Sequence, residues 1–159
     1  MDIVLVNPQI PQNTGSIARS CAATQTPLHL VGRLGFDISE KAVRRAGLDY
    51  WPWVPLHRHR SWEEYLAAAR PERVWLFSKS GRRLYYQAPF GPNDAFVFGS
   101  EQHGLGEEFL SGFPKDQVLR IPIVCDKVRS LNLSNAANIV LYEARRQLRL
   151  DEDRSSALP

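Results

Sequence analysis

Three short segments concentrate the residues able to do chemistry. Residues 7–19 read NPQIPQNTGSIAR. Prolines brace the loop, Asn13 is placed to cap a helix, and Arg19 follows it by six residues, about one and two-thirds turns along that helix. Free amides at a helix start with a guanidinium nearby are equipment for gripping a phosphate. A helix cap and a surface arginine would account for the same residues with no ligand at all. Residues 98–106 read FGSEQHGLG, with glycines at 99, 104 and 106 around Glu101. Glycine there permits positive φ or close approach of backbone to a ligand. The spacing is not GxGxxG, and no GK[ST] follows to make a Walker loop. A phosphate cradle is thus poorly supported, whereas a tight loop touching an adenosine-like group through backbone atoms stays open. Residues 121–138 read IPIVCDKVRSLNLSNAAN. Ser130, Asn132, Ser134 and Asn135 supply more hydrogen-bonding groups than one helix cap requires.

Other reactive types have plainer readings. His57 and His59 are two residues apart with no cysteine or carboxylate cluster beside them, so no zinc site is expected. His103 is a lone histidine in the glycine loop. Cys21 falls on the apolar side of the first helix and reads as core. No GxSxG is present, which removes the motif for an α/β-hydrolase. Trp51, Trp53, Tyr85 and Tyr86 neighbour basic residues, an arrangement that serves base stacking or simple packing.

These segments need elements to position them. A β-branched run at residues 3–6 reads as a buried strand, and a helix is expected from Asn13–Thr14 to about Thr24. Further strands are expected at residues 28–31, 73–77, 95–98 and 118–121. Residues 39–46 look helical, with Gly47 as the stop. Ser61 with Glu64 has capping-box spacing and opens a helix to about Ala69. The last helix runs from Ser134 to about Leu148, with Leu133, Ala136, Ala137, Val140, Leu141 and Ala144 as its apolar face. Strands alternating with helices imply an α/β fold: a mostly parallel sheet with helices on both faces. Ligands of such sheets bind outside the carboxyl ends of strands, and all three segments begin there.

The chain has 159 residues, enough for one self-supporting domain, expected over residues 1–150 with a frayed tail at 151–159. Two cysteines make no disulfide framework, and no signal-peptide pattern or membrane-length apolar run is present. A cytoplasmic protein is expected, with no membrane partner. The net charge is only +3, but Arg44–Arg45, residues 57–60, Arg82–Arg83 and Arg145–Arg146 are local basic clusters. Gathered on one face, they would attract a polyanion.

Taken together and in this order, the three segments resemble the three motifs of the SPOUT methyltransferase superfamily. The likeness is greatest to its short single-domain branch, which 2'-O-methylates the wobble cytidine or uridine of tRNA. KAVRRAGLDYW in the middle of the chain extends the resemblance over nearly all of residues 1–150. The resemblance implies an α/β domain with a C-terminal deep trefoil knot, working as a homodimer. It implies S-adenosyl-L-methionine as cofactor, no metal, tRNA as partner and no DNA. By the same resemblance Phe77, Ser78, Gly99, Ile121, Ser130 and Leu131 line the cofactor site, with Glu101 close by. Arg19, Asn13, Glu101, Ser130 and Asn132 match catalytic positions, and Arg19, Tyr142 and Arg145 match positions near RNA and the dimer interface. Two departures stand out: the loop at residues 125–129 is about one residue longer than in that branch, and Gly106 stands where proline is common.

Within the resemblance, Arg19 is the candidate for activating the ribose hydroxyl. Arginine stays protonated in proteins, so gripping a substrate phosphate is the better role for it. Three alternatives remain at this stage. One is a 2'-O-methyltransferase of another tRNA position or of rRNA. Another is a non-catalytic RNA-binding protein of the same fold. The third is a flavodoxin-like nucleotide-binding protein, for which the phosphate loop is lacking.

Overall fold

The computed structural model describes residues 1–39, 49–150 and 152. The helix expected at residues 39–46 falls almost entirely outside the described residues, as does most of the tail. Strand β1 is Asp2–Val6, followed by helix α1 at Pro11–Thr24 and β2 at Leu28–Val31. After β3 at Leu56–His59 come α2 at Trp62–Ala69, β4 at Arg73–Phe77 and the two-residue β5 at Arg83–Leu84. The chain then forms β6 at Asp94–Phe98, α3 at Glu107–Ser111, β7 at Val118–Arg120 and α4 at Leu133–Gln147. The seven strands form one sheet in the order β3-β2-β1-β6-β4-β7-β5, and each pairing is parallel.

Alternation along the strands builds two cores. Ile3, Leu5, Leu28, Leu30, Phe96 and Phe98 face α1 and α4, meeting Ile17, Cys21, Val140 and Leu141. Val4, Val31, Leu76, Ala95 and Val97 face the other way, toward Tyr65 of α2 and Phe109 of α3. Burial on both faces is why these strands read as continuous apolar runs. Burial pushes the Cys21 thiol up to about 12, which leaves it a packing residue without thiolate chemistry.

The expected strands match to within a residue, but two were not anticipated. β3 reads Leu-His-Arg-His and lies at the edge, paired only with β2. β5 spans two residues and pairs only with β7. β7 therefore lies between β4 and β5, which follow one another in the chain. In register, Phe77 and Arg83 both stand opposite Leu119, so residues 78–82 cross one face of β7 at that height. The crossing is close: a Cβ on Gly81 would sit 2.5 Å from the Leu119 carbonyl carbon.

The expected start of α1 needs correction. The helix begins at Pro11, two residues before Asn13, and its N-cap is Ile10, which has no side chain able to cap. Proline fits the first helical position because its missing N–H would have no partner there. Asn13 is inside the first turn, its side chain turned to another partner. The expectations for α2 and α4 hold better. Ser61 Oγ accepts from the Glu64 amide, and Asn132 caps α4 through the Ser134 and Asn135 amides.

At the β2–β3 edge, His29, His57 and His59 stack, with ring centroids 4.8 and 5.1 Å from His29. His29 Nδ1 and His59 Nε2 are 2.9 Å apart, so one donates and the other accepts. Burial, then the imidazoles of His57 and His59, pull His29 down to about 3. Below about pH 6.5 the unfolded chain therefore takes up a proton that the folded chain refuses. Stability falls with acid, by up to about 1.4 kcal/mol per pH unit for this one group. Asp2, 3.5 Å from His29 Nε2, acts in the opposite sense, because burial raises its carboxyl. The raised carboxyl adds stability that fades as pH rises through its folded value. Thermal unfolding should give a lower midpoint at pH 5 than at pH 7.5. His29→Gln should shrink that difference, and an unchanged pH profile would exonerate the cluster.

Candidate functional site

The three segments meet through hydrogen bonds. Glu101 follows β6, and its carboxylate accepts from the Gln9 amide at 2.8 Å, the Ile10 amide at 3.1 Å and Asn13 Nδ2 at 3.1 Å. Asn13 Oδ1 in turn accepts from Asn132 Nδ2 at 2.9 Å. Asn132 Oδ1 then accepts from the Ser134 amide at 2.8 Å and the Ser134 hydroxyl at 2.6 Å. The direction of this relay is forced. A carboxylate only accepts, so the Asn13 amide must present nitrogen to Glu101 and oxygen to Asn132. Asn132 must then present nitrogen to Asn13 and oxygen to the α4 amides. One acid thus fixes the orientation of two amides and locks the starts of α1 and α4 together.

The relay explains how α1 starts without a local cap. A carboxylate brought from beyond β6 binds the loop just ahead of the helix, where negative charge is also favoured by the helix dipole. It also redefines Glu101, whose carboxylate is committed to three donors and acts as a clamp. Glu101→Gln would turn an NH2 toward N–H donors. It should cost about 1–3 kcal/mol of stability, read by urea unfolding; an unchanged midpoint would deny the clamp.

Arg19 is exposed on α1, and its guanidinium lies 4.6 Å from the centroid of the Tyr50 ring. The Tyr50 hydroxyl donates to the Gly15 carbonyl at 2.7 Å, which fixes the ring against α1. Stacking of this kind orients a guanidinium while leaving its N–H fork free. Tyr50 was not singled out in the sequence, although it is the last residue but one of the KAVRRAGLDYW stretch; an aromatic in a basic segment was the available signal.

Phe77 ends β4, and Ser78, Gly99 and Ile121 follow β4, β6 and β7, which are neighbours in the order β6-β4-β7. They share the carboxyl edge of the sheet with the relay. Phe77 stacks on Phe98 with centroids 4.6 Å apart. Phe77, Ile121 and Leu131 are half-buried, whereas Val124 is fully exposed. Among the described residues, one backbone hydrogen bond lies within residues 121–131, from the Val128 amide to the Cys125 carbonyl. The strand ends therefore offer apolar surface and uncommitted backbone groups, and they fit a flat heteroaromatic ligand with a polar rim. Ser130 is exposed on this loop.

The remaining two expected residues separate. Tyr142 is 53% exposed on α4. Arg145, expected near RNA and a dimer interface, is 6% exposed, and its Nη1 donates to the Thr24 carbonyl at the end of α1. It ties the two helices together from inside. Among the described residues there is no group of three or more side chains able to hold a metal ion.

Comparison with known proteins adds to this geometry. Residues 1–142 match the model of the SpoU rRNA Methylase family. The chain is 46% identical over 147 residues to the tRNA (cytidine(34)-2'-O)-methyltransferase of Saccharophagus degradans, covering 92% of this chain and 95% of that one. A solved structure described by the 2-OH methylation of C/U34 on tRNA superposes with a TM-score of 0.84 at 47% identity, covering 93% of this chain and 95% of the other. The SpoU methyltransferase AviRb from Streptomyces viridochromogenes, in complex with the cofactor AdoMet, superposes with a TM-score of 0.75 at 26% identity. That likeness covers 92% of this chain and 60% of AviRb.

Proposed function

We propose that this chain, which belongs to the SpoU rRNA methylase family, methylates the ribose 2'-hydroxyl of the wobble nucleotide of tRNA, a cytidine or uridine. The observation that carries this reading is the relay from Glu101 through Asn13 to Asn132. It joins all three motifs at the carboxyl edge of the sheet. Relatives of nearly equal length that act on nucleotide 34 support the choice of substrate.

S-adenosyl-L-methionine, when bound, supplies a methyl group made electrophilic by its sulfonium. Phe77, Ser78, Gly99, Ile121, Ser130 and Leu131 would hold it, with Glu101 beneath as the clamp on the neighbouring loop. The chain's own task is then to place a ribose hydroxyl within attack distance, roughly 3–3.5 Å. Arg19, stacked on Tyr50, grips a phosphate of the target nucleotide. A guanidinium offers no basic lone pair, and the Glu101 carboxylate is already committed. Neither takes the hydroxyl proton in this scheme; the proton passes to the phosphate oxygen that Arg19 holds or to another group beside it. Tyr50 is a positioning residue in this scheme. Tyr50→Leu should lower kcat roughly 10-fold, the size of a lost stacking contact of 1–2 kcal/mol. Tyr50→Phe should retain most of the rate, and equal losses in both variants would place the role in the hydroxyl rather than the ring.

The wedged position of β7 supports a knotted C-terminus. A chain that left β7 beneath the crossing of residues 78–82 and returned as α4 would be threaded through that loop. Ile10, Ile139 and Tyr142 remain exposed around the starts and outer faces of α1 and α4. This apolar rim beside the relay supports a homodimer built on those two helices. A tRNA substrate goes with a cytoplasmic location, and no described helix is long and apolar enough to cross a membrane.

The deciding experiment is transfer of labelled methyl from S-adenosyl-L-methionine to unmodified tRNA, followed by mapping of the labelled nucleotide. A 2'-O-methyl group at nucleotide 34 is the expected result. Label at another ribose would move the substrate, and cofactor binding without transfer to any RNA would overturn the catalytic reading.

A further inference from the structure

The basic clusters of the sequence meet different fates in the fold. Arg145 is buried, and Arg146 chelates Glu143 with two contacts of 2.8 Å. Arg83 donates to the Gln87 carbonyl, its neighbour Arg82 is exposed, and Arg44–Arg45 lie outside the described residues. Residues 57–60 differ. They form the edge strand β3 and its exit, and the register sets Val31 opposite His59. Gly32 and Arg60 therefore leave the sheet side by side. Between them lies a cavity of about 300 Å³ lined by Gly32, Arg58, His59 and Arg60.

The charge around this cavity is unspent. Arg58 is exposed and has no hydrogen-bond or ion-pair partner among the described residues. Arg33, which follows Gly32 in the chain, is likewise exposed, and its side chain is unpaired among them. Arg60 meets Glu64 at 3.2 Å, but its side chain is 94% exposed. Glu64 is occupied twice over, accepting from both the amide and the side chain of Arg60. His59 forms the floor, its Nε2 tied to His29. Arg58 stands opposite Leu30, whose side chain faces the α1 core, so Arg58 lies on the α1 side of the sheet.

The cavity is also joined to the catalytic loop. Asn7 Oδ1 accepts from the Arg33 amide at 2.8 Å, and the Gly35 amide donates to the Pro8 carbonyl at 2.9 Å. The next residues along that loop are Gln9 and Ile10, which Glu101 clamps. Cavity and relay thus occupy one edge of the sheet, linked by a hydrogen-bonded ledge. Planar guanidinium forks on such a ledge suit phosphate oxygens, which accept two N–H donors at once.

Taking the chain as a tRNA methyltransferase, we propose that the cavity between Gly32 and Arg60 binds a backbone phosphodiester of the RNA substrate, away from the methylated nucleotide, through Arg58 and Arg33. The contact carries no sequence information; it sets where the rest of the RNA lies while Arg19 holds the reacting nucleotide.

The test compares wild type with Arg58→Ala and Arg58→Glu. Binding of unmodified tRNA is measured by fluorescence anisotropy at several KCl concentrations, beside methyl-transfer kinetics and thermal unfolding. Arg58→Ala should weaken tRNA binding about 10-fold at low salt and reduce the slope of log affinity against log salt by about one. Arg58→Glu should weaken binding further. The loss should appear in KM for tRNA, with the unfolding midpoint unchanged. RNA affinity and salt slope equal to wild type in Arg58→Glu would overturn the proposal. A wild-type protein that binds tRNA yet transfers no methyl group would instead sink the methyltransferase reading, and the Arg58 comparison of binding would still decide the phosphate site.

Discussion

Arg19→Ala should lower kcat for methyl transfer by about 10²–10³-fold, the range found when one preorganised charge-stabilising donor is removed. The affinity for S-adenosyl-L-methionine should stay within about twofold, because loss of an interaction made only at the reacting centre leaves ground-state binding intact. The Arg19 guanidinium is exposed on α1, two turns beyond the clamped loop, and lies over the ring of Tyr50. Nothing in the cofactor's expected surroundings touches it, so its removal should spare that pocket. Arg19→Lys restores the charge without the planar fork or the stacking geometry. It should recover only part of the rate, leaving a deficit of roughly 10-fold or more. Single-turnover transfer beside calorimetry of cofactor binding separates the two effects. Full turnover in Arg19→Ala would remove Arg19 from the chemistry.

Gly99→Ala should be severely damaging, because a Cβ there meets its neighbours closer than at Gly81 or Gly104. Its Cβ would lie 2.0 Å from the Gly104 carbonyl carbon and 2.2 Å from the Leu105 nitrogen. Both neighbours are backbone, so no side chain can swing aside. The loop is pinned there by paired hydrogen bonds between Ser100 and Gly104, at 3.1 and 2.8 Å. Moving it moves Glu101, and with Glu101 go the contacts to Gln9, Ile10 and Asn13. The loss should be about 3 kcal/mol or more, a fall in Tm of roughly 6–12 °C for a domain of this size. Cofactor affinity should drop at least 10-fold, about 1.4 kcal/mol. Gly104→Ala supplies the comparison. Open space surrounds that position, and φ is +63°, so only the left-handed backbone penalty of about 1–2 kcal/mol applies. If Gly99→Ala unfolds no earlier than Gly104→Ala, the close approach is not what glycine serves at 99.

What could be read from the sequence, and what could not, follows from the range of the forces involved. β1, β2, β4, β6 and β7 were legible because burial on both faces leaves a continuous apolar run. α2 and α4 were legible because Ser61 and Asn132 cap from within the same few residues. The start of α1 was not, since its acceptor is Glu101, about ninety residues away. β3 was missed because this edge strand buries little: its two middle residues are both exposed, and Leu-His-Arg-His then looks like a basic run. β5 exists only because β7 pairs with it. The site divides in the same way. Asn13, Glu101 and Asn132 could be chosen from motif order, and the hydrogen bonds bring them into contact. That Glu101 is a clamp, and that Arg145 points inward to Thr24, depended on partners far along the chain. Tyr50 escaped for the same reason, its meaning coming from Gly15 and Arg19 on another element.

The wedged β7 bears on how the molecule is born. During synthesis β4 and β5 leave the ribosome well before residues 118–120, yet the place between them must stay open for the late strand. Until it arrives, β5 has no strand to pair with, and Phe77, Ser78 and Gly81 line a slot rather than a sheet. The loop and helix that finish the proposed cofactor edge, residues 121–147, come later still. A nascent chain of this protein therefore lacks that edge until α4 is made. Any stall short of α4 exposes an unfilled slot of sticky strand edges, the kind of surface that chaperones shield.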